Sequence, residues 1–261
     1  MKNIQLSIAG YIFQLVFHET EYHQAQGLFF LQLLKSYKGF ILPTTNKKID
    51  FTIHFIQNNQ SEVLKFKEKN YIEYYKLTGK NNSIFSFYSI SLEQFTQLIR
   101  YALFYLLDKS SGFFLHGAVS VKNNGAYLFI GPSGRGKSTC IRLLRKAYIP
   151  FADDSFIIRK VNSNFYCFQT PFLDKQTWIK KNYCGFPIQK IYILEQSLYT
   201  SSELMDSSEA KEIILSELIA NQTNISTSLR ALMFFLKNKL VIYKLRFSLN
   251  GRGLVKELGT T

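Results

Sequence analysis

The chain has 261 residues, 32 Lys+Arg against 18 Asp+Glu for a net charge of +14, and is 46% hydrophobic and 16% aromatic. That composition excludes a disordered or low-complexity chain and suits one large domain or two small ones. Three cysteines without metal-ligand spacing exclude a disulfide framework and a zinc site, and no apolar stretch reaches the ~18 residues of a membrane span. The charge is uneven: residues 1–110 carry 12 Lys+Arg against 8 Asp+Glu, and residues 111–261 carry 20 against 10.

The opening MKNIQLSIAGYIFQLVF alternates apolar and polar residues and lacks a signal-peptide apolar core, so a strand and a cytoplasmic location are expected. Cys140, Cys167 and Cys184 then read as ordinary buried thiols of a reducing compartment. Ile4, Leu6, Ile8 and Ile12, and again Phe51, Ile53 and Phe55, keep the two-residue period of strands. Gln26 to Tyr37 fits either a helix or a buried apolar segment. Val63 to Phe66, Tyr71 to Leu77 and Ile84 to Ile90 read as further strands, the last after a turn at Gly79-Lys80-Asn81-Asn82. The period then changes. Ser91 and Gln94 form a capping box ahead of Leu92, Phe95, Leu98, Ile99, Ala102, Leu103 and Leu106, a helix expected to end near Asp108.

Past the breaker Lys109-Ser110-Ser111-Gly112, the segments Phe113 to Val121 and Ala126 to Ile130 flank Lys122-Asn123-Asn124-Gly125 and predict a hairpin with an Asn-Gly turn. The second strand runs into Gly131-x-x-x-x-Gly136-Lys137-Ser138, the spacing of a phosphate-binding loop. Backbone N–H groups hold phosphate there, lysine reaches the terminal phosphates, and the hydroxyl can meet Mg²⁺. Ile141, Leu143, Leu144 and Ala147 follow at helical spacing, completing the strand–loop–helix context. Gly131, Ser133, Gly134, Arg135, Gly136, Lys137, Ser138 and Thr139 are the nucleotide-binding candidates.

Asp153-Asp154 follows after Tyr148-Ile149-Pro150 and reads as two adjacent carboxylates at a strand end. One would hold Mg²⁺ and the other take a proton from an attacking hydroxyl. His116, expected at a strand edge, would turn its imidazole toward the phosphates as a ligand or an orienting group. Lys175, Lys180 and Lys181 lie where substrate or phosphate contacts could be made, or else read as solvated helix-surface lysines. Further on, Asp206 with Glu209 caps a helix expected to reach Asn221, and a second helix starts at Ser226 with Leu229, Leu232, Met233 and Leu236. A strand from Val241 to Phe247 precedes a glycine-punctuated tail.

In order and approximate spacing, His116-Gly117, Gly131-x-Ser133-Gly134-x-Gly136-Lys137-Ser138 and Asp153-Asp154 resemble the catalytic domain of HPr kinase/phosphorylase, itself related to ATP-dependent phosphoenolpyruvate carboxykinases. Thr170-Pro171-Phe172 adds a likeness to HPr-kinase-like proteins that carry an N-terminal β-rich part and include kinases of modified-peptide pathways. The resemblance covers residues 100–200 well and 1–100 in general layout. It implies an α/β fold, with a P-loop HPr-kinase/carboxykinase-like domain over 109–261 and an N-terminal β-rich α+β part over 1–108.

By the same resemblance, Lys137 is a phosphate ligand, Ser138 and Asp154 are metal ligands, and Asp153, Asp154 and His116 are catalytic, with Asp153 the base. ATP and Mg²⁺ are the implied cofactors, and a serine of a small protein or peptide the implied acceptor; separately, the basic second half either suits an anionic nucleotide and an acidic acceptor or reflects a generally Lys-rich composition. The alternatives are a small-molecule kinase and a non-catalytic ATP-binding regulator. Family relatives form homo-oligomers, and no Arg-rich tract points to nucleic acid. Neither the family's R-G-x-G signature nor an acidic metal ligand is expected between Ser155 and Gly185, which argues against HPr as substrate and against phosphorylase activity.

Overall fold

The computed structural model describes residues 2–18, 24–43, 46–56, 75–78, 82–88, 90–172, 174–222, 224–238, 241–249 and 251–260. It is a mixed α/β chain with two mixed sheets, dividing into compact units at 1–103 and 104–261.

In the first unit, β1 (Lys2–Ile8) and β2 (Tyr11–Phe17) form an antiparallel hairpin. β3 (Ile41–Leu42), β4 (Phe51–Ile56), β5 (Tyr75–Thr78) and β6 (Ser83–Phe87) complete a sheet in the order β3-β1-β2-β4-β6-β5. Residues 26–37, open between two readings, form helix α1 (Gln24–Ser36), which buries Phe29 and Leu33 one turn apart. Helix α2 (Leu92–Ser110), whose residues from Phe104 on belong to the second unit, begins at the expected capping box: Ser91 N–H donates to Gln94 Oε1 at 2.8 Å and Gln94 N–H to Ser91 Oγ at 3.1 Å. It runs two residues past the expected end. Val63 to Phe66, Tyr71 to Tyr74 and Gly79 to Asn81 lie outside the described residues.

The second unit is built on β7 (Phe113–Lys122), β8 (Gly125–Ile130), β9 (Ile149–Val161), β10 (Asn164–Gln169), β11 (Gly185–Gln196), β12 (Ser201–Leu204), β13 (Leu218–Ile219) and β14 (Ile242–Phe247). Their order is β10-β9-β7-β8-β11-β14-β12, with β13 beside β7. The β7–β8 hairpin stands as read, but Lys122 faces Gly125, so Asn123-Asn124 makes the turn, both with positive φ.

Because successive strand residues face opposite sides, this sheet has two cores. Leu128 and Ile130 pack with Ala210 and Ile214 of α4 (Ser207–Ser216) and with Leu232 and Phe235 of α5 (Ile225–Lys237). Phe129 packs on the other side with Cys140, Ile141 and Leu144 of α3 (Lys137–Leu144) and Leu254 and Leu258 of α6 (Gly251–Thr260). β8 is therefore apolar on both faces, which explains its unbroken run Ala126 to Ile130. Among the described residues no helix is long and apolar enough to cross a membrane.

Several expectations are corrected. Asp206 does cap α4, accepting from Ser208 N–H at 2.8 Å, but the helix ends at Ser216, and Leu218 and Ile219 pair with Leu115 and Phe114 instead. The helix expected from Ser226 is present as α5, with Leu232 and Leu236 buried and Leu229 and Met233 exposed. The tail is helix α6, whose low propensity from Gly251, Gly253 and Gly259 is overridden by burial of Leu254 and Leu258. Cys140 and Cys167 are buried, but Cys184 is exposed.

Candidate active site

β8 ends at Ile130, and the loop Gly131 to Gly136 turns the chain into α3. Gly134 and Gly136 hold φ of +84° and +89°, conformations that a side chain would strain. At Gly136 a Cβ would also lie 2.8 Å from Phe247 Cζ. Gly136 is the N-cap of α3 and supplies no side-chain acceptor, so the first N–H groups of the helix are left to other partners. Ser133, Gly134 and Arg135 are exposed. Thr139 lines a cleft of about 250 Å³ with Gly136, Gln196, Ser197, Phe247 and Leu249.

Lys137 is buried, its Nζ donating to the carbonyls of Gly131 and, at 3.3 Å, Pro132. Burial lowers its pKa, and the Glu217 carboxylate, 3.9 Å from Nζ, acts in the opposite direction. One residue on, Ser138 Oγ donates to Asp153 Oδ1 at 2.8 Å. Asp153 is 2% exposed, and its other oxygen, Oδ2, is buried without a hydrogen-bond partner. Burial raises its pKa, partly offset by the Ser138 bond.

The aspartate pair is not at a strand end. It lies inside the thirteen-residue β9, next to β7, with Asp153 opposite Ala118 and Asp154 opposite Gly117. Pro150 is tolerated because the register shifts there, leaving Phe151 without a partner on β7. Asp154 holds φ at 137°, a strained value for a residue with a side chain, and both carboxylates act electrostatically on Lys137. Asp154 is the more open of the two, 40% exposed, and its Oδ1 is 3.3 Å from Lys175 Nζ.

His116 is inside β7 rather than at its edge, opposite Ser155 of β9 and beyond the stretch paired with β8. Its Nδ1 lies 2.9 Å from Glu217 Oε2, and its Nε2 lies 4.0 Å from Asp154 Oδ1.

Two acidic residues escaped the sequence reading. Glu217 arrives from the end of α4, a hundred residues past His116, through the β13–β7 pairing. Asp174 lies between Ser155 and Gly185, where no acidic metal ligand was expected, and its contacts are with protein groups: its Oδ1 accepts from Asp153 N–H at 3.3 Å and its Oδ2 is 2.7 Å from Lys181 Nζ. Burial raises the Asp174 pKa and lowers that of Lys181, while each partner opposes the shift of the other.

Lys175 and Lys181 thus sit in a loop against the aspartates and not on a helix. Lys180 contributes its backbone carbonyl, which accepts from Gln169 Nε2 at 3.1 Å. Thr170 is buried with its hydroxyl 3.3 Å from that of Ser155, and Phe172 stacks on Phe114.

Mg²⁺ is commonly held by one or two carboxylates and phosphate oxygens, with water filling the rest of its shell. The Ser138–Asp153 pair, with an orphaned carboxylate oxygen beside a helix N-terminus, fits that pattern.

No family model matches the chain, and no curated protein matches it. Among solved structures, the HPr(Ser) kinase/phosphatase from Coxiella burnetii is similar at a TM-score of 0.26 and 11% identity, covering 47% of this chain and 88% of that one. So low a score leaves the geometry of this chain's own site to carry any functional reading.

Proposed function

We propose that this chain is an ATP- and Mg²⁺-dependent phosphotransferase that moves the γ-phosphate to a hydroxyl, a serine of a small protein or peptide. The observation that carries the reading is the 2.8 Å bond from Ser138 Oγ to Asp153 Oδ1 at the start of α3, directly after the glycine loop. A hydroxyl and a carboxylate so joined beside a phosphate-binding loop form a site for a phosphate-bound divalent cation. Bound Mg²⁺ would neutralise charge on the β- and γ-phosphates.

The loop N–H groups and Lys137 would hold the phosphates, with Lys137 leaving the carbonyls of Gly131 and Pro132 for phosphate oxygens. The cleft beside Thr139 and Phe247 would take the nucleoside. We divide the aspartates in the opposite order from the sequence reading. Asp153, buried and bonded to Ser138, would hold the metal, whereas Asp154, exposed and next to His116 and Lys175, would meet the acceptor. The acceptor oxygen forms its bond to the γ-phosphorus as the bond to the β–γ bridging oxygen breaks; its proton passes to Asp154, and ADP departs. Lys175 would hold the incoming phosphate charge.

The test is transfer from labelled ATP with Mg²⁺ into a lysate of the source cells, comparing wild type with Lys137→Ala and Asp154→Asn. A labelled polypeptide seen with wild type alone supports the proposal. Label in a small molecule moves the acceptor to that class, and nucleotide binding without label in any product leaves a regulator.

A further inference from the structure

The phosphate-transfer reading leaves Glu217 without a task. Glu217 is 8% exposed and held by its backbone on both sides: its N–H donates to Ile214 C=O at 3.2 Å and its C=O accepts from His116 N–H at 2.8 Å. So short a tether to β7 fixes where the side chain can reach. Its Oε2 is 2.9 Å from His116 Nδ1 and 3.9 Å from Lys137 Nζ, so a single carboxylate oxygen faces both the imidazole and the loop lysine.

We propose that Glu217 is a positioning residue of the transfer site, holding the Nδ1 proton of His116 so that Nε2 presents its lone pair to the acceptor hydroxyl. An ionised carboxylate only accepts hydrogen bonds, so the nitrogen against it carries the proton. In the neutral ring the other nitrogen is then an acceptor. His116 Nε2 is buried without a hydrogen-bond partner, 4.0 Å from Asp154 Oδ1. An oxygen placed about 2.8 Å from each would bridge that gap, its one proton shared between Nε2 and Asp154 Oδ1 before it passes to Asp154. A lone pair there suits a hydroxyl and repels a phosphate oxygen, so His116 belongs to the acceptor side of the site and Lys137 to the donor side. This inference rests on the phosphotransferase reading for its role, but the tautomer it requires does not.

The closing experiment therefore has two arms. In the first, ¹⁵N-labelled full chain is read by imidazole ¹H–¹⁵N correlation near neutral pH, with the His116 signals assigned by their loss in His116→Gln. Wild type is expected to show the Nδ1–H tautomer, and Glu217→Ala to return His116 to the Nε2–H form that a free histidine side chain prefers. Glu217→Gln, which keeps an acceptor oxygen of the same reach, is expected to retain Nδ1–H. An Nε2–H ring in wild type overturns the proposal whether or not any variant folds, and so does a tautomer indifferent to Glu217→Ala.

In the second arm, Glu217→Ala lowers kcat about 10–100-fold, the range for removal of such supporting partners, with KM for ATP nearly unchanged. In a His116→Gln background the same substitution adds little further loss. Equal losses in both backgrounds would mean that Glu217 acts through Lys137 and would overturn the positioning role. Absence of all transfer in wild type, with the Nδ1–H tautomer present, would instead count against the phosphotransferase reading alone.

Discussion

Single residues at this site are placed against their own stability. Asp153 is buried, and its carboxyl is pushed above the ordinary range chiefly by that burial. A carboxyl whose folded pKa is raised stabilises the fold most at low pH. Stability falls as pH rises from the ordinary aspartate value to the raised one, and above that the penalty is present in full. Asp153→Asn keeps an acceptor for Ser138 and removes the charge, so it is expected to raise Tm at neutral pH by about 2–4 °C, the shift that ~1 kcal/mol gives in a chain of this size. The same change should lower transfer at least ~10²-fold. A thermal melt and a rate on the one variant check both, and an unchanged or lower Tm would count against the charge penalty. Gly136→Ala has the opposite sign. Its φ of +89° and the 2.8 Å approach of Phe247 to the added Cβ predict a loss of about 1–3 kcal/mol, read as a lower denaturation midpoint, together with loss of nucleotide binding.

At the scale of elements, the site depends on how residues 170–172 and 174–184, between β10 and β11, are held against β9. Gln169, 1% exposed, donates through Nε2 to the carbonyls of Phe151 and, at 3.1 Å, Lys180, while its Oε1 accepts from Asn182 N–H at 2.6 Å. Lys181 adds a bond to Thr170 C=O at 2.9 Å, and Lys175 N–H one to Asp153 C=O at 3.1 Å. Gln169→Leu removes three of these bonds and leaves buried backbone groups unpaired, so about 2–4 kcal/mol should be lost. Faster hydrogen exchange over residues 174–184 than in wild type, with β7 and β8 still protected, is the expected signature; uniform exchange would place the effect elsewhere. None of this was legible in the sequence, and the reason is topological. The hairpin, the glycine loop from Gly131 to Gly136 and the α2 capping box are written in contiguous residues, where local sterics and hydrogen bonds decide the outcome. Asp174 and Glu217 reach the site through strand pairings and a loop packed far from their own neighbours in sequence. The α6 helix was hidden for a related reason, because burial of Leu254 and Leu258 decides against the local preference of three glycines.

For the whole molecule, the uneven charge becomes an argument about the acceptor. Residues 111–261 carry 20 Lys+Arg against 10 Asp+Glu, and in this unit the positive groups Lys137, Lys175 and Lys181 face three aspartates and Glu217 within the site itself. The excess basic charge therefore lies mainly outside that cluster, on surface that can steer an acidic partner. Such steering is screened within a Debye length, about 10 Å at 0.1 M salt and about 3 Å at 1 M. A peptide acceptor flanked by Asp and Glu should show a KM that rises about tenfold or more between 0.05 and 0.5 M salt, with kcat nearly constant. The same serine flanked by neutral residues should start at the higher KM and respond weakly. A small-molecule acceptor enclosed by the site would lose little with salt, because a buried interaction is screened less than a surface one. Equal salt dependence for the acidic and neutral peptides would trace the effect to ATP, common to both, and would remove charge steering as a determinant of the acceptor.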